Sequence, residues 1–289
     1  MPIYAPSLPP RPDRTGGLHP ALVLARFDAR RLRTQKLGRF FGFALLVALL
    51  ARCLSLYLAH LKDSSPAFAG VKPLADQFFS KGAAFQAGQV TGFLQTLLWL
   101  QVALLCGGLI ARDTLYRIRP LVYAHPVRRR DYLGAKALVA VGLPFLVLAL
   151  FILVPWGLSL LVAGARGPLW PTLPLYLLPA ALVIATLMGA VALAAGSLAS
   201  SPKGAFGWAL GILLGGPALS GILIGITQEP VWKALSVEAL AAAWPGLLCG
   251  AGPEAAGLGW LPATAGSVAY LGLCTWIAAR RTRPEEATL

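Results

Sequence analysis

Six apolar runs, each long enough to cross a lipid bilayer, constrain this chain more than any single motif does. They extend approximately over Phe40–Leu61, Thr91–Ile110, Ala137–Ala163, Leu173–Ala199, Phe206–Thr227 and Gly259–Ala279. A hydrocarbon core of about 30 Å needs roughly 20 residues of helix, which satisfies its own backbone polar groups. The sequence therefore predicts an all-α membrane protein with six transmembrane helices. With 57% apolar and 12% charged residues, it excludes a separate soluble catalytic domain.

The distribution of positive charge predicts how these helices are oriented. If the N-terminus is cytoplasmic, the segments 1–39, 111–136, 200–205 and 280–289 lie inside and contain 19 of the 25 Lys and Arg residues. The outer segments contain five, and Arg52 lies within the first span. This asymmetry follows the positive-inside rule, so we expect a multi-pass protein of the plasma membrane, such as a bacterial inner membrane, with both termini cytoplasmic. The excess of cations also indicates contact with anionic lipids, with no need to invoke nucleic acid.

The segments outside the spans divide the chain further. Residues 1–19 are proline-rich and predicted to be disordered, and residues 281–289 form a cytoplasmic tail. Between them, residues 20–280 are predicted to form one six-span domain. Pro20 suits the first position of a helix, and apolar residues at helical spacing among arginines favour an amphipathic interfacial helix over 20–37. A basic flank that only stops membrane transfer is the alternative for this segment.

Two features of the later spans are open to more than one interpretation. The apolar stretch from Ala234 to Cys249 is too short and too broken by proline to cross the membrane, which predicts a broken or re-entrant segment between spans five and six. Gly207, Gly211 and Gly215 recur every four residues in span five. Such a stripe favours close helix packing, although Gly211 and Gly215 on a flexible, substrate-facing helix are the alternative.

Several kinds of chemistry are missing from the sequence. The six predicted spans contain no Asp or Glu, which argues against an ion-coupled carrier and an aspartyl intramembrane protease. No HExxH motif, CxxC pair or Walker A loop occurs, so we expect no metal site and no nucleotide site in this chain. The chain is therefore not expected to be an enzyme. Arg52 is the one charged residue within a predicted span, and either snorkels to the outer headgroups or contacts a substrate or a structural partner.

The cytoplasmic loop 111–136 carries the most specific motif. It contains seven cations and two acids, and its segment Leu121–Lys136 reads LVYAHPVRRRDYLGAK. An apolar run, then Pro126, Val127, Arg128 and Arg129, with a lysine ten residues after the proline, resembles the loop between spans two and three of the ABC type-2 permease family. The sequence departs from the family pattern at two places, which put the subfamily in question. Gly134-Ala135-Lys136 stands where the family has a Gly-Lys pair. Asp113 and Arg119-Pro120 stand where the family has an acidic residue and a glycine before the motif.

The resemblance implies that this loop is a coupling helix that fits a groove on a separate ATP-binding subunit. The residues that would carry the coupling are Arg119, Pro120, Leu121, Val122, Tyr123, His125, Pro126, Arg128 and Arg129. The chain would then be the permease subunit of an ABC exporter, paired with a second permease subunit, identical or related, and with ATPase subunits that bind ATP and Mg²⁺. A polytopic membrane scaffold or assembly factor without a transport pathway is the alternative, and an ordinary basic surface loop is the alternative for the motif.

Overall fold

The protein is helical throughout the part that a computed structural model describes, which comprises residues 19–64, 88, 90–118, 128–163, 172–250 and 257–282. No strand occurs among these residues. In chain order the helices are α1 Pro20–Thr34, α2 Lys36–Ser64, α3 Phe93–Leu105, α4 Gly107–Leu115, α5 Arg129–Ala163, α6 Leu173–Leu198, α7 Pro202–Thr227, a 3-10 helix Pro230–Leu235, α8 Val237–Leu248 and α9 Trp260–Arg281.

Six of the described helical stretches are long and apolar enough to span a membrane, which confirms the predicted number and order. They are Lys36–Tyr57, Phe93–Leu115, Arg129–Leu161, Leu173–Leu198, Pro202–Thr227 and Trp260–Arg281. The second consists of α3 and α4, which join at Cys106 with helical backbone angles. The second stretch continues past its predicted end at Ile110, and the third begins before its predicted start at Ala137. A helix can continue through charged residues where these pair with groups on neighbouring helices.

Helix α6 forms the centre of the bundle. It packs against α4, α5, α7, α8 and α9. In its most apolar stretch of 18 residues, 72% of the residues are buried, against 11% in the corresponding stretch of α2 and 17% in that of α7. Its buried side chains include Leu177, Ile184, Leu187 and Met188. The outer helices α2, α7 and α9 keep large apolar side chains exposed, as helices that face lipid do.

Small residues let neighbouring helices approach α6 closely. A Cβ at Gly189 would lie 2.7 Å from Val141 Cγ2 and 3.0 Å from the Ala140 carbonyl carbon on α5. A Cβ at Gly196 would collide with the backbone oxygen of Gly107 on α4. These glycines are therefore required by packing, as in other membrane helix interfaces.

The predicted glycine stripe of span five does not pack in this way within the described part of the chain. A Cβ at Gly207, Gly211 or Gly215 would meet nothing within 4 Å. The expectation that this stripe packs closely against another helix is therefore wrong for the described residues of a single chain. Close approaches occur instead at Gly189 and Gly196 on α6, and also at Gly216 on α7 and Gly266 on α9.

Helix α1 differs from the predicted segment 20–37 at its end. It begins at Pro20, as expected, but ends at Thr34, where Gln35 has an extended backbone, and Lys36 begins α2. Helix α1 packs against α5 and α2. Of the predicted apolar stripe, Ala25 and Leu32 are buried, whereas Leu22 and Ala29 are exposed.

The segment after α7 forms two short helices, of which the second is largely covered by protein. The 3-10 helix Pro230–Leu235 leads into α8, in which Val237, Leu240, Ala241 and Ala243 are fully buried. Helix α8 packs against α6, α7 and α9, and Trp244 Nε1 donates a hydrogen bond of 3.0 Å to Ser267 Oγ on α9. With 12 residues, α8 is thus apolar but shorter than the six membrane-length helices.

We expect alanine to have opposite effects at two glycines of the same type. Gly189→Ala should destabilise the protein by about 1–3 kcal/mol, because the new methyl group overpacks the contact with α5. Gly211→Ala should leave stability unchanged or raise it by up to about 1 kcal/mol, since alanine favours helix more than glycine does. Thermal unfolding in one detergent compares the two variants. Equal midpoints for both would contradict the packing described for α6.

Candidate functional site

A buried ionic cluster joins α1, α4 and α5 at the charged end of the bundle. It consists of Asp28, Asp113, Tyr132 and Lys136. Lys136 Nζ lies 2.8 Å from Asp28 Oδ2 and 2.7 Å from Asp113 Oδ2. The Tyr132 hydroxyl donates a hydrogen bond of 2.9 Å to the same Asp113 oxygen, and the Lys136 ammonium lies 5.2 Å from the centre of the Tyr132 ring.

Local helical spacing places each member of the ionic cluster. Asp28 shares the buried face of α1 with Ala25 and Leu32, which are three and four residues away. Tyr132 and Lys136 lie one turn apart on α5 and therefore point in the same direction. Asp113 lies in the last turn of α4, so it reaches the start of α5 from the opposite end of the connecting segment.

The ionic cluster is almost fully removed from solvent. The exposed fractions of the Lys136, Asp28 and Asp113 side chains are 6%, 7% and 8%. With both carboxylates ionised the cluster carries one net negative charge, and burial raises the pKa of Asp28 even though Lys136 opposes that shift. Buried charges cost several kcal/mol of desolvation, so each has to be matched by close contacts of this kind.

Two polar contacts near the ends of α1 supplement the cluster. His19 Nε2 lies 3.6 Å from Asp131 Oδ1 at the start of α5. At the other end, Arg112 on α4 donates a hydrogen bond of 3.2 Å to Gln35 Oε1. Helix α1 is thereby attached at three places to the two helices that flank residues 119–127.

Most of the predicted coupling residues lie outside the described residues. These are Arg119, Pro120, Leu121, Val122, Tyr123, His125 and Pro126. Arg128 and Arg129 are described. The Arg128 backbone N–H donates a hydrogen bond of 3.1 Å to Asp131 Oδ2, and Arg129 begins α5. The structure thus describes the two flanks of the predicted coupling segment.

Arg52 lies at the opposite end of the bundle from the ionic cluster. Together with Val90, Ile152, Pro155, Trp156, Leu173 and Leu177 it lines a small pocket where α2, α5 and α6 meet. These neighbours belong to the end of α5 and the start of α6, whereas the ionic cluster lies at the start of α5. Gly211 and Gly215 lie in the middle of α7 and are not among the described residues that line this pocket.

None of the four cluster residues was predicted from the sequence as a site residue, since Asp113 and Lys136 were noted only through the family resemblance. One signal was present: Asp28 is the single acid of α1 and is spaced as a member of its apolar stripe. Asp113 lies just beyond the predicted end of the second span. The predicted span therefore contains no acid, whereas the observed helix does. No local pattern indicates that Asp28 and Lys136, which are 108 residues apart, share one site.

Comparison with known proteins adds no relatives to this description. A scan against protein-family models finds no match, and no curated protein is found to be similar to the chain.

Charge counting predicts unequal effects of substitutions in the ionic cluster. Lys136→Met leaves two buried carboxylates without their cation and should cost about 3–5 kcal/mol. Asp28→Asn leaves Lys136 paired with Asp113 and keeps a hydrogen-bond acceptor, so it should cost no more than about 1–2 kcal/mol. Unfolding midpoints and the yield of monodisperse protein measure both effects.

The matched control for this series is Lys203→Met, since Lys203 is exposed at the start of α7. A triple variant, Asp28→Asn with Asp113→Asn and Lys136→Met, removes every charge and should be more stable than Lys136→Met alone. If Lys136→Met unfolds at the same temperature as Lys203→Met, the ionic cluster does not stabilise the fold.

Proposed function

We propose that this chain is the transmembrane subunit of an ATP-driven ABC exporter of the type-2 class. It would act with a second permease subunit and with separate ATPase subunits that supply the nucleotide site and Mg²⁺. Six membrane-length helices and a strongly cationic end are consistent with this function. The observation that carries the proposal is the position of Lys136, which ends the segment LVYAHPVRRRDYLGAK and lies at the centre of the ionic cluster.

That position supplies a mechanical argument for coupling. A partner that moved residues 119–127 would act on α4 and α5 at their ends, where the ionic cluster joins both helices to α1. Helix α5 is continuous over 35 residues, a length of about 50 Å, so displacement at Arg129 reaches the other side of a membrane. Pro144 and Pro155 lie inside α5 and provide points at which the helix can bend, because each removes a backbone hydrogen bond.

In this proposal α1 lies on the inner leaflet, and α8 is a re-entrant segment at the outer side. Helix α1 has the required character, since Arg26, Arg30 and Arg33 are exposed along it together with Leu22 and Phe27. Helix α8 is apolar and covered by α6, α7 and α9, which is the condition for irregular backbone at membrane depth.

The proposed orientation can be tested with one helix. In a Cys249→Ser background, we expect Glu229→Cys after α7 to react with a membrane-impermeant maleimide on intact cells. Lys203→Cys at the start of α7 should react only after permeabilisation. Both positions are exposed, whereas Cys249 is half-buried and burial raises the pKa of its thiol, which makes it a poor reporter. The reverse labelling pattern would show that the topology is inverted.

The coupling function predicts a specific ranking of loop variants. Tyr123→Ala or Leu121→Asp should release or uncouple the ATPase partner, while the chain still inserts into the membrane. A truncated interface aromatic commonly costs about 2 kcal/mol, or roughly thirtyfold in affinity. Arg129→Ala should have a smaller effect on partner binding, because Arg129 begins α5 and lies outside residues 119–127. The measurements are co-purification of an ATPase from native membranes and ATP hydrolysis by the purified complex.

Membrane insertion of each variant, assayed by the labelling described above, is the control for this comparison. If the Tyr123 and Leu121 variants retain partner and hydrolysis at wild-type levels, residues 119–127 are not a coupling element. An absence of any co-purifying ATPase in the wild type would instead favour a scaffold or assembly factor.

A further inference from the structure

Three consecutive arginines line a groove at the charged end of the bundle. Arg128, Arg129, Arg130 and Leu133 form one wall at the start of α5, and Ala279 near the end of α9 forms the other. We call these five residues the arginine groove. Its volume is about 520 Å³, and it is more open to solvent than enclosed. The groove exists because α5 and α9 both pack against α6, which leaves a space between their ends.

Among the described residues, no acidic side chain forms an ion pair with the arginines of the groove. Arg128 and Arg130 are exposed. The Nε atom of Arg129 is buried and has no hydrogen-bond partner there. The nearest acid in the sequence, Asp131, accepts the Arg128 backbone N–H and faces His19.

A buried donor without a partner is unfavourable by about 1–3 kcal/mol, and a bound ligand or water molecule would satisfy it. Guanidinium groups bind phosphate oxygens through parallel hydrogen bonds, more specifically than a lysine does. The groove also lies at the N-terminus of α5, where the free backbone N–H groups attract anions. These features together fit a phosphate group.

We propose that the arginine groove binds the headgroup of an anionic phospholipid. Leu133 and Ala279 give the groove apolar surface next to its arginines, as the glycerol and acyl regions of a lipid require. The groove also opens between two spanning helices at the end where positive charge is concentrated. Basic pockets of this kind, on the cytoplasmic side of membrane helices, suit acidic headgroups. The proposal uses the orientation described above but does not depend on transport.

Lipid binding to the purified chain tests this proposal. Phosphatidylglycerol is titrated into protein held in neutral detergent, with phosphatidylcholine and inorganic phosphate as separate arms. The readouts are the number of bound lipids by native mass spectrometry and the shift in unfolding midpoint. We expect phosphatidylglycerol to bind and to raise the midpoint, and Arg129→Gln to weaken its apparent affinity at least tenfold, while Arg129→Lys loses less.

The matched control is Arg33→Gln, which removes the same charge from an exposed position on α1 and should change the affinity less than threefold. The double variant Arg128→Gln with Arg130→Gln alters only exposed side chains, so a loss of binding there cannot result from lost packing. That variant should also bind at least tenfold more weakly. The proposal is wrong if it or Arg129→Gln binds like Arg33→Gln, or if phosphatidylcholine or phosphate alone is as effective as phosphatidylglycerol.

Discussion

The contact of Lys136 with two buried carboxylates determines how the charged end of this protein is assembled. A single ammonium group satisfies Asp28 on α1 and Asp113 on α4 from its own position on α5. Because buried charges without partners are strongly unfavourable, the three helices can adopt only arrangements in which these groups meet. The ionic cluster therefore defines where residues 119–127 begin and end relative to α1. Any function of that segment has to act through these helices.

The remainder of the bundle depends on α6 as its packing centre. The close approaches at Gly189 and Gly196 bring α5 and α4 against α6, so the helix pair that holds the ionic cluster is also attached to the core. The outer helices keep apolar surface exposed, while the charged ends of α5 and α9 leave the arginine groove between them. The ionic cluster, the packed central helix α6 and the arginine groove thus lie in one continuous part of the structure.

Much of the fold could be predicted because it depends on local composition. Pro20 indicates the start of α1, and the interrupted stretch after Thr227 indicates that a short segment does not span. The functional residues were harder to predict. The resemblance at Leu121–Lys136 indicates a role for the loop but identifies Lys136 only as its last residue. Arg52 stands out in the sequence because it is charged, whereas Asp28 is inconspicuous among arginines although it is the more deeply buried of the two.

The sequence alone determined the number and order of the membrane-length helices and the concentration of positive charge at one end. These properties follow from the residues of each segment taken separately, because the length of an apolar run and the charge of a loop need no partner. Only the tertiary structure decided which of two similar glycines is indispensable, which acids meet Lys136 and which arginines form no ion pair among the described residues. These outcomes depend on contacts between residues far apart in the chain, as Asp28 and Lys136 are. Packing and electrostatic pairing select such contacts, and no local pattern in the sequence predicts them.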